Sequence, residues 1–292
     1  MTGTLALKEQ VNKALERATG YQLQKARPPA AGPAPRRRRG KAGAGDRLLT
    51  SPAFVLSSVR SGSTLLRVLL NSHSQIHAPI ELHLRDLRTE VGSKYAERSL
   101  KEIGLAGDGL QFLLWDRVLH RELASTGKRQ LVNKTPNDVF IADRIRQCWP
   151  DAKFLFLLRH PVATAASRQK ARPQDSEERN TEMILRYGNA LEQARRTYDG
   201  LTVRYEELTA EPERVTREVC TFLGLEWEPQ MLQYGEFDHG RFKPGLGDWT
   251  DKIKSGQIQP APPPPPAEDV PEALRELSAA WGYLPAPAPQ DA

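Results

Sequence analysis

Apolar and polar positions sort this chain into short buried strands and amphipathic helices. Ala53-Phe54-Val55-Leu56 is a compact apolar run behind Pro52, and Phe154-Leu155-Phe156-Leu157-Leu158 is a longer uninterrupted one. Such runs, bounded by turn residues, read as strands buried on both faces. With two weaker runs, strands are predicted near residues 53–57, 130–133, 154–158 and 201–204. Between them apolar residues recur at helical spacing, as at Leu65, Leu66, Val68, Leu69 and Leu70. Helices are predicted near 63–73, 108–125, 137–148, 160–170, 179–198 and 211–223. A last one near 269–281 has Val270, Leu274, Leu277 and Trp281 on one face, after an extended polyproline spacer at Pro262 to Pro266. Strands alternating with helices predict an α/β fold of three layers, α/β/α, around a mostly parallel central sheet. Right-handed crossovers bring the tips of the strands at 53–57 and 154–158 to one edge, where open α/β sheets bind ligands.

Charge changes the picture at the N-terminus. Residues 1–50 hold eleven Lys and Arg against three Asp and Glu, a net of +8, so the chain total of +6 leaves −2 on residues 51–292. Arg27 to Gly45 is too rich in Pro, Gly, Ala and Arg to offset its ordering entropy by burial. Arg36 to Arg39 suits a solvated run without any need for nucleic acid, while peripheral membrane contact by the tail stays open. Leu7, Val11, Ala14, Leu15 and Ala18 stripe a short helix ahead of it. The expected organisation is a basic, largely disordered tail with a short amphipathic helix over 1–47, one α/β domain over 48–285 and a flexible C-terminus over 286–292. No apolar stretch reaches a membrane span and no signal-peptide core opens the chain, so a cytoplasmic location is expected.

The candidate chemistry starts where the first strand turns into its helix, at Ser57-Ser58-Val59-Arg60-Ser61-Gly62-Ser63-Thr64. Ser63 and Thr64 fall in the first helical turn, where unpaired N–H groups and the positive dipole end attract an anion. Gly62 admits a close backbone approach, and Arg60 brings a permanent charge. No Lys follows the glycine as a Walker A loop requires, which counts against ordinary ATP or GTP hydrolysis. A second anion site is read at Arg159 and Ser167. An Arg at a strand tip and a Ser eight residues on can reach one small anion from two sides.

Arg60-Ser61-Gly62-Ser63-Thr64 resembles the phosphosulfate loop, itself P-loop-like, of the sulfotransferases that use 3′-phosphoadenosine 5′-phosphosulfate (PAPS) and release PAP. The resemblance implies that Arg60, Gly62, Ser63 and Thr64 hold the 5′-phosphate and sulfuryl group, and that Arg159 and Ser167 bind the 3′-phosphate. Asn133-Lys134-Thr135-Pro136 is similar to the segment whose Lys faces the sulfuryl group. Val203-Arg204-Tyr205 is similar to the strand end whose Tyr touches adenine. Gly240 to Trp249 resembles the late glycine-rich loop, with Arg241 and Lys243 closing over the nucleotide. The matches run in family order over roughly residues 51–283. They imply a PAPS-dependent enzyme acting on a hydroxyl, less often an amine, of a carbohydrate, lipid or natural product, without a metal.

One departure bears on mechanism. Cytosolic small-molecule sulfotransferases have a His two residues after the Lys, where this chain has Pro136. Tyrosylprotein sulfotransferases and many bacterial relatives have a Glu where this chain has Glu81, and this sequence is closer to that pattern. Glu81 is therefore the expected base, with His83 in reserve. A nucleoside or nucleotide kinase, or a noncatalytic nucleotide-binding protein, would share the cradle, but the former expects the missing Lys and the latter has no use for Glu81 or Lys134. Phe112, Trp115 and Tyr95 either line an acceptor pocket or belong to the core. Cys148 and Cys220 lack metal-ligand spacing and are expected as free thiols. The spacing of His73 and His77 would place them on one helix face, but with His83 they complete no metal site.

Overall fold

A computed structural model describes residues 46–240 and 251–285, which belong to a compact unit over residues 40–292. The tail helix, the Arg36 to Arg39 run, most of the late glycine-rich loop with Arg241 and Lys243, and the C-terminus over 286–292 lie outside the described residues.

Five strands form one sheet in the order β2-β3-β1-β4-β5. They are β1 (Ala53–Ser57), β2 (Ile76–His77), β3 (Gln130–Lys134), β4 (Lys153–Leu158) and β5 (Gly200–Arg204), and every pairing is parallel. Parallel strands are buried on both faces and read as continuous apolar runs, which is why β1 and β4 were visible in the pattern. Alternate side chains divide the core in two. Phe54, Leu56, Phe154 and Phe156 pack with Trp115, Leu119, Ile145, Leu191 and Leu277 on one face. Val55, Val132, Leu155 and Val203 pack with Leu66, Leu69, Val219 and Met231 on the other. The result is the expected three-layer α/β/α arrangement.

The helices that supply those layers include α1 (Ser63–Asn71), α2 (Lys94–Glu102), α3 (Gly109–Ala124), α4 (Ala142–Cys148), α5 (Pro161–Ala171), α6 (Glu177–Thr197), α7 (Tyr205–Ala210), α8 (Pro212–Leu223), α9 (Asp251–Lys254) and α10 (Glu272–Ala280). None described is long and apolar enough to cross a membrane. Several boundaries differ from expectation. α1 ends at Asn71 rather than 73, and the predicted helix over 137–148 is a 3-10 turn over Pro136–Ile141 followed by α4. β2, α2 and α7 were not expected.

β2 exists because Lys128 draws the chain back. Its Nζ donates to the carbonyls of Asn71 at 2.8 Å and Ile76 at 2.9 Å, answering one orphan carbonyl at the end of α1. This overturns the helix-face placement of His73 and His77, since the first lies in the turn after α1 and the second in β2. Their contacts diverge: His73 reaches the Glu226 carbonyl at 2.8 Å and His77 lies 3.7 Å from Glu122. Trp115 and Phe112 are core residues and Tyr95 is 81% exposed, so the three line no common pocket. Cys148 and Cys220 are buried free thiols.

Asp116 on α3 ties the chain at Leu48 and Leu49 to Trp149. Its buried carboxylate accepts from the Leu48 N–H at 2.7 Å, the Leu49 N–H at 3.1 Å and the Trp149 indole at 2.9 Å. Asp116→Ala strands these donors, and at 1–3 kcal/mol for a buried unsatisfied group it should cost about 3 kcal/mol. A fall in the urea midpoint at unchanged m-value checks this.

Candidate active site

Parallel pairing brings every strand tip to the same edge. Ser57 lies opposite Leu157, and Leu158 opposite Arg204, so the loop after β1, Arg159 after β4 and Tyr205 after β5 leave the sheet side by side. Lys134, the last residue of β3, pairs with Val55 on the other side of β1. Four predicted site segments therefore meet at one end of the sheet.

The loop is shaped by backbone more than by side chains. Gly62 caps α1 with φ +86°, and the first i to i−4 bond of the helix runs from the Leu66 N–H to the Gly62 carbonyl at 3.2 Å. The amides of Ser63, Thr64 and Leu65 thus precede that ladder at the positive end of the helix. The Ser61 hydroxyl donates to the Ser58 carbonyl at 2.7 Å and closes the turn. Arg60 is a non-glycine residue in the left-handed region, φ 59°, a conformation that costs roughly 1–3 kcal/mol. In that conformation its carbonyl receives the Arg159 Nη1 donor at 2.8 Å.

Tyr205 fills the space beside the glycine. A Cβ on Gly62 would stand 2.1 Å from Tyr205 Cδ2. The Arg159 guanidinium lies 4.5 Å from the centroid of the same ring, a cation–π distance. Burial lowers the Arg159 pKa, opposed by Tyr205 and Glu206 and reinforced by the Arg60 charge. Arg60 Nε donates to the Ser167 hydroxyl at 3.4 Å. Arg60, Arg159 and Ser167 thus come together, and Arg60 points toward Ser167 on α5. The Arg159 Nε is buried with no hydrogen-bond partner among the described residues, and an uncompensated buried donor is a site for an acceptor.

On the β3 side a second group of charges is enclosed. Lys134, fully buried, forms an ion pair with Glu81 Oε1. Glu81 Oε2 lies 3.8 Å from His83 Nε2. The His83 N–H donates to the Thr135 hydroxyl at 3.4 Å, which ties the segment after β2 to the end of β3. Arg67 adds a cation from the middle of α1. Its Nη1 donates to the carbonyls of Ala78 at 3.1 Å and His239 at 3.2 Å. Burial brings its pKa down to about 10 against the pull of the Glu81 carboxylate, so it stays charged at neutral pH. Two buried cations thus lie about one carboxylate.

Sequence reasoning missed Arg67, Asp138 and the Glu206 network. Arg67 interrupts an apolar stripe, Leu65-Leu66-Arg67-Val68-Leu69, and that interruption was the available signal. Glu206 accepts from the His160 N–H at 3.0 Å and the Tyr283 hydroxyl at 2.7 Å. Arg204 donates to the Trp281 carbonyl. Contacts at that sequence distance leave no local pattern.

The sulfotransferase family model matches residues 52–229. Nodulation protein NoeE of Sinorhizobium fredii is 34% identical over 125 residues, 39% of this chain and 30% of that protein. Protein-tyrosine sulfotransferase A of Caenorhabditis elegans is 26% identical over 205 residues, 63% of this chain and 53% of that protein. The chain thus spans between 30% and 53% of the length of these curated relatives. Two solved structures share the fold. The sulfotransferase domain of the Synechococcus PCC 7002 olefin synthase has a TM-score of 0.55 at 24% identity, over 82% of this chain and 91% of that one. The sulfotransferase domain of the curacin biosynthetic pathway has a TM-score of 0.51 at 22% identity, over 84% and 94%.

The contact between Gly62 and Tyr205 makes a separable prediction. Gly62→Ala meets both the left-handed backbone and the ring, so it should lower stability by about 2 kcal/mol or more. Adding Tyr205→Ala should recover the steric share and leave the backbone share. Chemical denaturation of the double-mutant cycle reads this as a coupling energy, and strict additivity would contradict the contact.

Proposed function

The chain belongs to the sulfotransferase family, and on that premise we propose that it moves a sulfuryl group from PAPS to a hydroxyl, less often an amine, of a carbohydrate, lipid or natural-product acceptor in the cytoplasm. The observation that carries the reading is the convergence of Arg60, Arg159 and Ser167 around a buried Arg159 Nε donor with no described partner. Two permanent cations and a hydroxyl suit a phosphate dianion. The relatives named for protein-tyrosine transfer use a hydroxyl acceptor, which agrees with a carboxylate base here.

The residues fit the nucleotide. Ser61, Gly62, Ser63 and Thr64 would receive the 5′-phosphosulfate at the helix start, while Arg159 and Ser167 would hold the 3′-phosphate, with Arg60 between the two anions. Tyr205 would contact adenine, and Arg241 and Lys243 would close over the nucleotide. Bound PAPS supplies the sulfuryl group, and PAP is what remains after transfer. As in phosphoryl transfer, positioning and charge stabilisation carry the catalysis. Lys134, whose ammonium is held against Glu81, would face the sulfuryl oxygens. Glu81 takes the acceptor proton on Oε2, the oxygen that Lys134 does not engage, within reach of His83.

A charge-assisted phosphate contact is worth roughly 1.5–3 kcal/mol, about ten- to a hundredfold in affinity. Arg159→Ala should therefore weaken PAP by that factor and 5′-AMP far less, by calorimetry. Equal losses, or wild-type protein that binds ADP as tightly as PAP, would count against the assignment.

Glu81→Gln should lower single-turnover transfer from labelled PAPS, measured against a panel of phenols, sugars and lipids, by roughly 10²–10⁴. The substitution also leaves the Lys134 charge buried without its carboxylate, so PAP affinity and the folded fraction are measured alongside. A near-wild-type rate in Glu81→Gln sinks the role of base, and a large loss in His83→Ala alone transfers it to His83.

A further inference from the structure

One buried pair beside the candidate site has complementary defects. Asn133, immediately before Lys134, donates from Nδ2 to Asp138 Oδ2 at 2.6 Å, and both side chains are buried. Asn133 Oδ1 and Asp138 Oδ1, the remaining oxygens of the same two groups, are both buried with no hydrogen-bond partner among the described residues. Two buried acceptors, one on each member of a hydrogen-bonded pair, each lack a donor. A proton on Asp138 supplies it.

We propose that Asp138 works as a neutral carboxylic acid whose Oδ1–H donates to Asn133 Oδ1, closing a two-bond acid–amide ring that positions the end of β3 and with it Lys134. This rests on the role given above to Lys134. Asp138 is a positioning residue and does not touch the reacting groups. Its place in the chain suits the task. The Asp138 N–H donates to the Thr135 carbonyl at 2.9 Å, so the ring and this turn bracket Lys134 and Thr135. Those two residues hold Glu81 and the His83 N–H in turn.

The electrostatics agree. Complete burial raises the Asp138 pKa to about 8, opposed by the Asn133 hydrogen bond. Glu81, from the segment after β2, and Asp86, from the 3-10 turn over Leu84–Asp86, push it further up, while Lys134 pulls it down. A carboxyl whose folded pKa lies above its unfolded value of about 3.9 contributes stability that is present below that value and is lost as pH rises through the folded pKa. The ring should therefore open on the alkaline side.

Asp138→Asn separates the possibilities, because an amide reproduces the donor and acceptor of the neutral acid and does not titrate. In nucleotide-free protein, wild type should show an infrared carboxylic C=O band that disappears between about pH 6 and about pH 9.5. Melting temperature should fall earlier, from about pH 4 to about pH 8, because the unfolded chain releases this proton first. In Asp138→Asn the band and the fall assigned to this group should both be missing. PAPS affinity at about pH 7 should stay within about twofold of wild type in Asp138→Asn and drop roughly tenfold or more in Asp138→Leu, which leaves Asn133 without a partner. Absence of the band in wild type, or an identical fall between about pH 4 and about pH 8 in Asp138→Asn, overturns the neutral ring. If Asp138→Leu unfolds, Asn133→Leu replaces it: without the amide the carboxylic C=O band should move to the higher frequency of an unbonded acid, and an unshifted band overturns the pairing. PAPS affinity that is equal in folded Asp138→Leu and wild type overturns the positioning role. Failure of the wild-type chain to bind PAP would instead strike the proposed function and leave the spectroscopic result standing.

Discussion

Everything at the sheet edge depends on how closely the loop after β1 can approach the end of β5. Tyr205 occupies the volume a side chain at position 62 would need, and Arg159 lies over that same ring while bonding the Arg60 carbonyl. Three loops are thereby fixed to one another through a single aromatic ring. The left-handed conformations at Arg60 and Gly62 follow from this constraint. They hold because the packed ring and the Arg159 donor over-determine them. A larger residue at position 62 would separate the loops before it touched any ligand.

The second constraint is charge. Arg67 and Lys134 enter the interior from α1 and β3, and burying a cation is tolerable only where anions and carbonyls answer it. Glu81 answers both in part, and the Ala78 and His239 carbonyls share Arg67. Such an arrangement stores attraction for a negative group at a place where water screens poorly. It also explains why the segment after β2 is held in an extended path with His83 in the left-handed region, φ 49°. That path is what delivers Glu81 to Lys134.

The parts of this architecture that were legible in the sequence are those where local pattern and tertiary role coincide. β1 and β4 are buried on both faces, so continuous apolar runs gave them away, and the turn after β1 announced itself through glycine and hydroxyl residues. β2 has too few residues to carry a period and depends on Lys128, which no local pattern records. Lys94–Glu102 has no buried residue, so it offered no apolar stripe. Pro136 opens a 3-10 turn rather than the helix its apolar spacing suggested, as Asn133 and Asp138 join across the end of β3. Individual site residues could be named from the sequence, but the pairing of Lys134 with Glu81 and the direction of Arg60 toward Ser167 could not. Both are long-range choices among several chemically acceptable partners.

The latch made by Arg204, Glu206, Trp281 and Tyr283 has a consequence for how the molecule is made. Its bonds join the tip of β5 to residues that follow it by 77 positions, so this tip reaches its final setting only after the residues around 283 have been synthesised and have folded back. Domains form progressively as the chain emerges, and contacts of long sequence separation close late. The sheet can assemble earlier from β1, β3 and β4, with the loop after β1 already in place. A nascent chain would therefore carry a formed but slack loop after β1 until α10 docks.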